Sequence, residues 1–148
     1  MKAHIGVDVA SGVVHTVIGT AANEADINQA AALLHGQETD VFADAGYTGA
    51  DKRPELADCD VDWNIAIKRG IIKALPKALQ DLAEPMERAL AQVRAWVEHP
   101  FHIIKDCFHY RKVRYRGLKK NTAQLYSLFA LANLVIAKKP LLASAPAQ

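Results

Sequence analysis

Cysteine is scarce in this sequence, and it has no apolar run long enough for a membrane span. Only two cysteines, Cys59 and Cys107, occur among the 148 residues, which is too few for a disulfide framework. The longest apolar run, residues 125–137, is interrupted by polar side chains and falls far short of the ~20 residues that a membrane helix needs. Residues 1–4 run directly into a strand-like pattern rather than a basic-then-apolar leader. These absences argue against a secreted, disulfide-linked or membrane-bound protein and predict a cytoplasmic one.

Charge is plentiful but unevenly distributed. Residues 1–63 carry 3 basic and 11 acidic side chains, whereas residues 64–148 carry 15 basic and 5 acidic ones. The formal charges of these two segments are therefore −8 and +10, although the whole chain is only +2. Such asymmetry predicts an electropositive surface beside an electronegative one, and the alternative is an ordinary solvated charged face.

The first half of the chain is predicted to alternate strands and short helices, which defines an α/β class. Short alternating apolar segments predict strands, and a 3–4-residue apolar spacing predicts helix. The predicted elements are a hairpin of His4–Val9 and Val13–Thr20, a helix from the N-cap Asn23 to Gly36, a strand over Asp40–Asp44, a helical piece opened by Pro54, and a strand over Val61–Ile67.

The second half is predicted to be helical. A weak helix or connector covers residues 71–82, and a strong amphipathic pattern covers residues 84–108. Pro100 predicts a kink or break of that helix at His99. Asn121 is predicted to cap a last helix that ends near Lys138. We therefore expect one domain over residues 1–139 and a flexible tail over residues 140–148.

Two carboxylates are candidates for chemistry. Asp44 ends a buried strand just before a glycine-containing loop, where α/β proteins place their sites, although it could simply cap that turn. Glu98 shares one helix face with Arg94 and Lys105, at the predicted border between core and solvent. An ion-paired helix face is the alternative explanation for Glu98.

A basic segment follows this helix. Residues 110–120 combine two tyrosines with six lysines and arginines, and this mixture suits phosphate contacts together with base stacking. A nucleic acid is therefore a candidate partner, and the candidate binding side chains in this segment are Arg111, Lys112, Arg114, Arg116, Lys119 and Lys120.

Four ordered motifs resemble those of bacterial DDE transposases. They are Lys2–Asp8 with its hairpin, Phe42–Tyr47, Val97–Phe101, and Val113–Leu118 running into Asn121–Gln124. The chain is most similar to family five of the insertion-sequence superfamily that carries a Tyr-Arg-Glu-Lys signature. The resemblance covers residues 1–139. Arg94, Glu98 and Lys105 fit the signature, but Ala91 occupies its tyrosine position.

The resemblance implies an RNase H-like fold, a mixed sheet with flanking helices. It also implies three catalytic carboxylates that bind two Mg²⁺ (or Mn²⁺) ions, of which Asp44 matches the second and Glu98 the third. Two such ions catalyse in-line phosphoryl transfer on DNA. The resemblance also implies double-stranded DNA as the partner, with Arg94 and Lys105 as DNA-binding side chains on either side of Glu98. The family's first aspartate lies on a first strand that has no counterpart here, and Asp8 is expected to bond backbone amides at the hairpin turn instead.

These features predict a DDE transposase catalytic domain that lacks its first strand and has impaired catalysis. An upstream segment or a homo-oligomer is a possible partner, and binding to DNA implies association with the nucleoid. One alternative is a non-catalytic, regulatory DNA-binding remnant of a transposase. Another is an α/β scaffold whose charged faces support association without DNA chemistry.

Overall fold

The computed structural model describes residues 1–143, without the side chains of Lys139, Leu142 and Ala143. The described residues form two compact units. The first unit comprises Met1–Glu24 and the described residues from Trp96 onward, and the second comprises Ala25–Ala95. Strands and helices mix in the order predicted from the sequence, which confirms the α/β class.

The first unit begins with the predicted hairpin. Strands β1 (Lys2–Val7) and β2 (Val14–Thr20) pair antiparallel, with a register irregularity between Gly6 and Val7. At the turn, the Asp8 carboxylate accepts hydrogen bonds from the hydroxyl and the backbone N–H of Ser11. These bonds hold the pKa of Asp8 below its usual value. The prediction that Asp8 bonds backbone amides at this turn is confirmed.

Helix α4 (Leu118–Ala143) covers the hairpin and closes the core of the first unit. Phe129 is almost fully buried and meets Phe101 edge-on, with ring centroids 5.4 Å apart. The side-chain amide of Asn133 on α4 accepts a bond from the Val14 N–H and donates one to the Val14 carbonyl, at 2.9 and 2.8 Å. Helix and strand are therefore joined by apolar burial and by this amide bridge.

The second unit contains a short parallel sheet of β3 (Asp40–Ala43) and β4 (Asp62–Ile65). Two short helices, α1 (Ala30–Leu33) and α2 (Arg69–Ala74), belong to the same unit. Its core is built around buried alanine and leucine side chains, with partly buried aromatic neighbours: Ala30, Ala50, Leu56, Tyr47 and Trp63. The described strands thus form two separate sheets of two strands each, one antiparallel and one parallel, and not the single mixed sheet that the resemblance implies.

The predicted helix after Asn23 is shorter than expected. A 3₁₀ turn over Asp26–Gln29 leads into α1, and Ala25 occupies the N-cap position without a side-chain cap. Gly36 follows with a φ of 84°, the left-handed conformation in which glycine avoids a steric cost. The Asn23 cap was therefore wrong, and so was Gly36 as the terminating glycine, because α1 ends at Leu33 and its C-cap Leu34 is already extended.

Helix α3 (Lys77–His102) continues through Pro100, so the predicted break at His99 was wrong. Proline removes one helical hydrogen bond, but the Pro100 side chain is fully buried, and this packing compensates for the loss. The helix ends instead in a π-helical turn over Ile103–Cys107, where the Phe108 N–H donates to the Ile103 carbonyl at 3.1 Å. Ile103 and Ile104 in this turn are 2% exposed and anchor it in the core.

The last helix is longer at both ends than the sequence predicts. Helix α4 starts three residues before the expected cap, Asn121, and passes Lys138 and Pro140 to reach Ala143. The expected flexible tail is thus helical in its first four residues, while residues 144–148 lie outside the described part. In residues 1–143, no helix combines the length and apolar character required to cross a membrane.

Candidate functional site

Asp44 lies directly after β3 and is exposed. Its Oδ1 accepts a hydrogen bond from the Gly46 N–H at 2.7 Å, so the carboxylate caps the 3₁₀ turn over Ala45–Tyr47. The capping role weighed as an alternative is therefore real. It occupies one oxygen of the carboxylate, because no second hydrogen bond to Asp44 is formed by the described residues. A capping carboxylate at a strand end can still offer its other oxygen to a ligand.

A second carboxylate lies beside Asp44, and sequence reasoning missed it. A Cβ atom added to Gly46 would lie 2.8 Å from Asp44 Oδ1 and 3.2 Å from Asp26 Oδ2. Glycine at position 46 therefore lets both carboxylates lie close to the backbone of this loop, where a larger residue would clash with them. Burial, together with the negative charges of Asp26 and Asp44, raises the pKa of Tyr47 to about 12. Only the fold brings Asp26 to this loop, 18 residues earlier in the chain than Asp44.

Glu98 is exposed on α3. Within the described part of the chain its carboxylate forms neither a hydrogen bond nor an ion pair, so the alternative of an ion-paired Glu98 finds no support there. Its neighbour Pro100 is buried, which fixes this end of the helix against the core of the first unit. The Glu98 carboxylate is thus available to bind a metal ion through its oxygens, and it lies on a firmly packed helix.

Arg94 and Lys105 were predicted to flank Glu98 and hold DNA phosphates. The Arg94 side chain is only 18% exposed, and its Nη2 lies 3.4 Å from Glu87 Oε2. Glu87 in turn accepts a bond from the Ile67 N–H at 3.3 Å. Lys105 is exposed, and its ammonium lies 5.6 Å from the centre of the Phe101 ring. Lys105 is available to a phosphate, whereas Arg94 is mostly buried, and its Nη1 has no hydrogen-bond partner among the described residues. Both roles stay predictions.

The basic segment, residues 111–120, is exposed at every position. It begins after His109, which has the left-handed φ of 55°, and it runs without helix or strand as far as Leu118. Arg111 bonds Asp106 at 2.9 Å, and Asp106 also bonds His102 at 2.7 Å. The other cations of the segment form no ion pair with any described residue. They are Lys112, Arg114, Arg116, Lys119 and Lys120.

One buried side chain fastens the basic segment to α4. Asn121 is 4% exposed, and its Nδ2 donates to the carbonyls of Tyr115 and Gly117, both at 2.7 Å. Its Oδ1 accepts from the Tyr115 N–H at 3.2 Å. All the hydrogen-bonding atoms of the amide except one lone pair are thereby used. The segment has no helix or strand before Leu118, so the hydrogen bonds of this one side chain hold its backbone in place.

The two units differ in charge. The first holds ten Lys or Arg and four Asp or Glu, a formal charge of +6, and it contains Glu98, Lys105 and the basic segment. The second holds eight Lys or Arg and twelve Asp or Glu, a formal charge of −4, and it contains Asp26, Asp44 and Arg94. The charge asymmetry of the sequence thus follows the division into units, and an electropositive surface beside an electronegative one stays a prediction.

Comparison with known proteins identifies the family of this chain. No solved structure is a significant match to the chain. Residues 1–134, about nine-tenths of the sequence, match the family described as transposase DDE domain. This region contains Asp44, Glu98 and the complete basic segment. The chain therefore belongs to the transposase DDE domain family.

Proposed function

We propose that this chain is an RNase H-like catalytic domain of insertion sequence family five, which cleaves and transfers DNA strands. The observation that carries the DNA-binding part is the uninterrupted exposure of residues 111–120, whose backbone Asn121 holds in place. Six Lys or Arg in ten residues, five of them without an ion-pair partner in the described chain, give a dense site for phosphates. If the segment served only solubility, it would not need the buried Asn121 amide to hold its backbone in place.

The carboxylates provide the second part of the proposal. Divalent Mg²⁺ and Mn²⁺ prefer carboxylate and water oxygens, which Asp44 and Glu98 offer on exposed side chains. The oxygen of Asp44 that does not accept the Gly46 N–H forms no hydrogen bond with the described residues, which leaves it for a ligand. Two divalent ions, when bound, activate the attacking oxygen and stabilise the leaving oxygen of an in-line phosphoryl transfer. Asp44 and Glu98 would hold such ions, and the basic segment would hold the DNA backbone.

Catalysis by these 148 residues is proposed to be impaired. The resemblance implies three carboxylates in the family site, and this sequence offers matches to two of them, Asp44 and Glu98. Each sheet has only two strands, so β1 and β3 each have an edge that no described strand pairs. A segment that carries the first strand and its aspartate would complete the site.

DNA binding is tested through its salt dependence. Each phosphate contact contributes about 0.9 to the slope of log K against log salt concentration. The Ala variant of Arg111, Lys112, Arg114 and Arg116 should therefore lower the slope by about three, because Arg111 is already paired with Asp106. The matched control replaces four exposed cations of the second unit by Ala, with the same change in net charge: Lys68, Arg69, Lys73 and Lys77.

The outcomes separate the candidate functions. A slope lowered by the first variant but not by the control supports DNA binding through the basic segment. Equal slopes for the unaltered chain, the basic-segment variant and the control would show that this segment does not contact the DNA. A chain that retains no DNA at low salt would favour the scaffold without DNA chemistry.

Metal binding and catalysis need separate measurements. Calorimetric titration with Mn²⁺ should show weaker binding for Asp44→Asn than for Asp58→Asn, which removes the same charge at another exposed site of the second unit. We expect no nicking of DNA with Mg²⁺ or Mn²⁺ until a first-strand segment with its aspartate is added. Metal-dependent nicking by the unaltered chain, abolished by Asp44→Asn, would contradict the proposed impairment. If nicking is still absent after that addition, the regulatory DNA-binding remnant is favoured.

A further inference from the structure

A groove lies next to the basic segment, on the side of α4. It has a volume of about 530 Å³, within the range of pockets that hold small organic groups. All of its lining residues belong to the first unit, and none is a candidate metal ligand. They are Tyr115, Lys120, Ala123, Gln124, Ser127 and Leu128.

Three of these side chains match the three parts of a nucleotide. Tyr115 is 53% exposed, so its ring face can stack on a base. Lys120 is exposed and can pair with a phosphate as part of the basic segment. The Gln124 amide forms no hydrogen bond with the described residues, and its Oε1 is buried without a partner. A buried acceptor in this state costs free energy until a donor reaches it, so Gln124 is suited to a hydrogen-bonding ligand.

The exposed ring of Tyr115 selects an unpaired base over a base pair. Bases in a duplex cover their faces by stacking, and they present only their edges in the grooves. An aromatic ring in this shallow, open groove can bind the face of a base only after the base has left the stack. We propose that this groove binds one unpaired nucleobase of the DNA strand that the basic segment holds, an inference that rests on the proposed function. Tyr115 stacks on the base, Gln124 bonds its edge, and Lys120 contacts the neighbouring phosphate.

The protein fixes the groove before any ligand arrives. The backbone N–H and carbonyl of Tyr115 are both bonded to the Asn121 side chain, one turn of α4 before Gln124. The stacking residue therefore has a fixed backbone relative to the helix that carries Gln124 and Lys120. Ordering costs on binding are lower for a site that is organised in this way.

The Gln124 amide also predicts which base is preferred. An amide that both donates and accepts matches adenine, whose N6 amino group donates and whose N7 accepts. Adenine should therefore bind more tightly than thymine, and a nucleotide without a base should gain nothing from the groove.

The experiment compares three labelled duplexes by fluorescence anisotropy with the full 148-residue chain. One duplex is fully paired, one carries a single bulged adenine, and one carries a bulged abasic residue that reproduces the bend without the base. Stacking and edge contacts should make the Kd for the adenine bulge about tenfold lower than that for the abasic bulge. Tyr115→Leu should remove most of this difference, and Gln124→Leu should reduce the preference for a bulged adenine over a bulged thymine.

Tyr126→Leu is the matched control, because Tyr126 is also 53% exposed and does not line the groove. It should keep the full preference for the adenine bulge. Equal affinity of the unaltered chain for the adenine and abasic bulges, with salt-dependent binding of the paired duplex intact, would overturn the groove and leave the proposed function standing. Equal losses in Tyr115→Leu and Tyr126→Leu would also overturn it. Failure to bind any of the duplexes would overturn both proposals.

Discussion

Removal of the Asn121 side chain should loosen the basic segment and destabilise the first unit. Asn121 is 4% exposed and forms three hydrogen bonds with the backbone of Tyr115 and Gly117. In Asn121→Ala, two carbonyls and one N–H lose their partner. Water can reach part of this exposed segment and replace some of the bonds, so the loss is smaller than for three fully buried groups.

The size of the effect follows from these three bonds. An intramolecular hydrogen bond contributes about 0.5–1.5 kcal/mol net, so the free energy of unfolding should fall by about 2–4 kcal/mol. Asn121→Asp should have an effect in the same direction, because an oxygen would replace the Nδ2 that now donates at 2.7 Å to two carbonyl oxygens. Urea unfolding followed by tryptophan fluorescence in a Trp63→Phe background, which leaves Trp96 of the first unit as the only tryptophan, measures this change.

Limited trypsin digestion gives a second, local measurement. Trypsin cleaves after lysine and arginine, and segments open to proteases are those that leave their folded course. Cleavage after Arg114 and Arg116 should accelerate in Asn121→Ala. The control is Asn23→Ala, the same substitution at an exposed position of the first unit. If Asn121→Ala changed stability by less than about 0.5 kcal/mol and left the cleavage rate as in the control, the assigned role of Asn121 would be refuted.

Three further perturbations test other parts of the structure. Gly12 has a φ of 72° and a hypothetical Cβ atom would lie 3.4 Å from Trp96, so Gly12→Ala should lower the free energy of unfolding by about 1–2 kcal/mol in urea. Asn133→Leu removes both bonds to Val14 and should cost about 1–3 kcal/mol in the same assay, and an unchanged midpoint would exclude the amide bridge. The pKa of Tyr47 is about 12 in the folded chain against 10.0 for the free side chain, so the unfolded chain loses this proton first as pH rises. The stabilisation from neutral Tyr47 is therefore complete below pH 10 and lost between pH 10 and 12; Tyr47→Phe should flatten this loss, as seen in unfolding curves against pH.

Local sequence patterns correctly predicted those elements that are determined by residues close together in the chain. The hairpin follows from alternation in Lys2–Val7 and Val14–Thr20, and the Asp8 turn follows from a carboxylate three residues before Ser11. The strand end at Asp44 and its capping bond were predicted from five consecutive residues. In each case, the residues that decide the structure are close in the chain.

The errors arose where distant packing decides. Pro100 should break a helix on its own, but its burial keeps α3 intact as far as the π turn. Asn121 resembles an N-cap because Gln124 follows three residues later, yet its amide bonds the preceding Tyr115 and Gly117. Asp26 lies beside Gly46 through the fold of the second unit, and no local spacing signals this proximity. Helix ends and side-chain partners of this kind depend on contacts that a one-dimensional pattern does not contain.

The local distribution of charge, rather than its total, should decide how this chain responds to salt. A chain of net charge +2 would attract DNA weakly if its charges were evenly spread. Here six cations are concentrated in residues 111–120, within a unit of formal charge +6, whereas Asp26 and Asp44 lie in a unit of −4. Because screening acts over about 8–10 Å at physiological salt, a phosphate that contacts the segment is influenced mainly by the cations next to it. The slope of log K against log salt concentration should therefore depend on the number of cations in this segment. Substitutions elsewhere that remove the same net charge should leave the slope nearly unchanged.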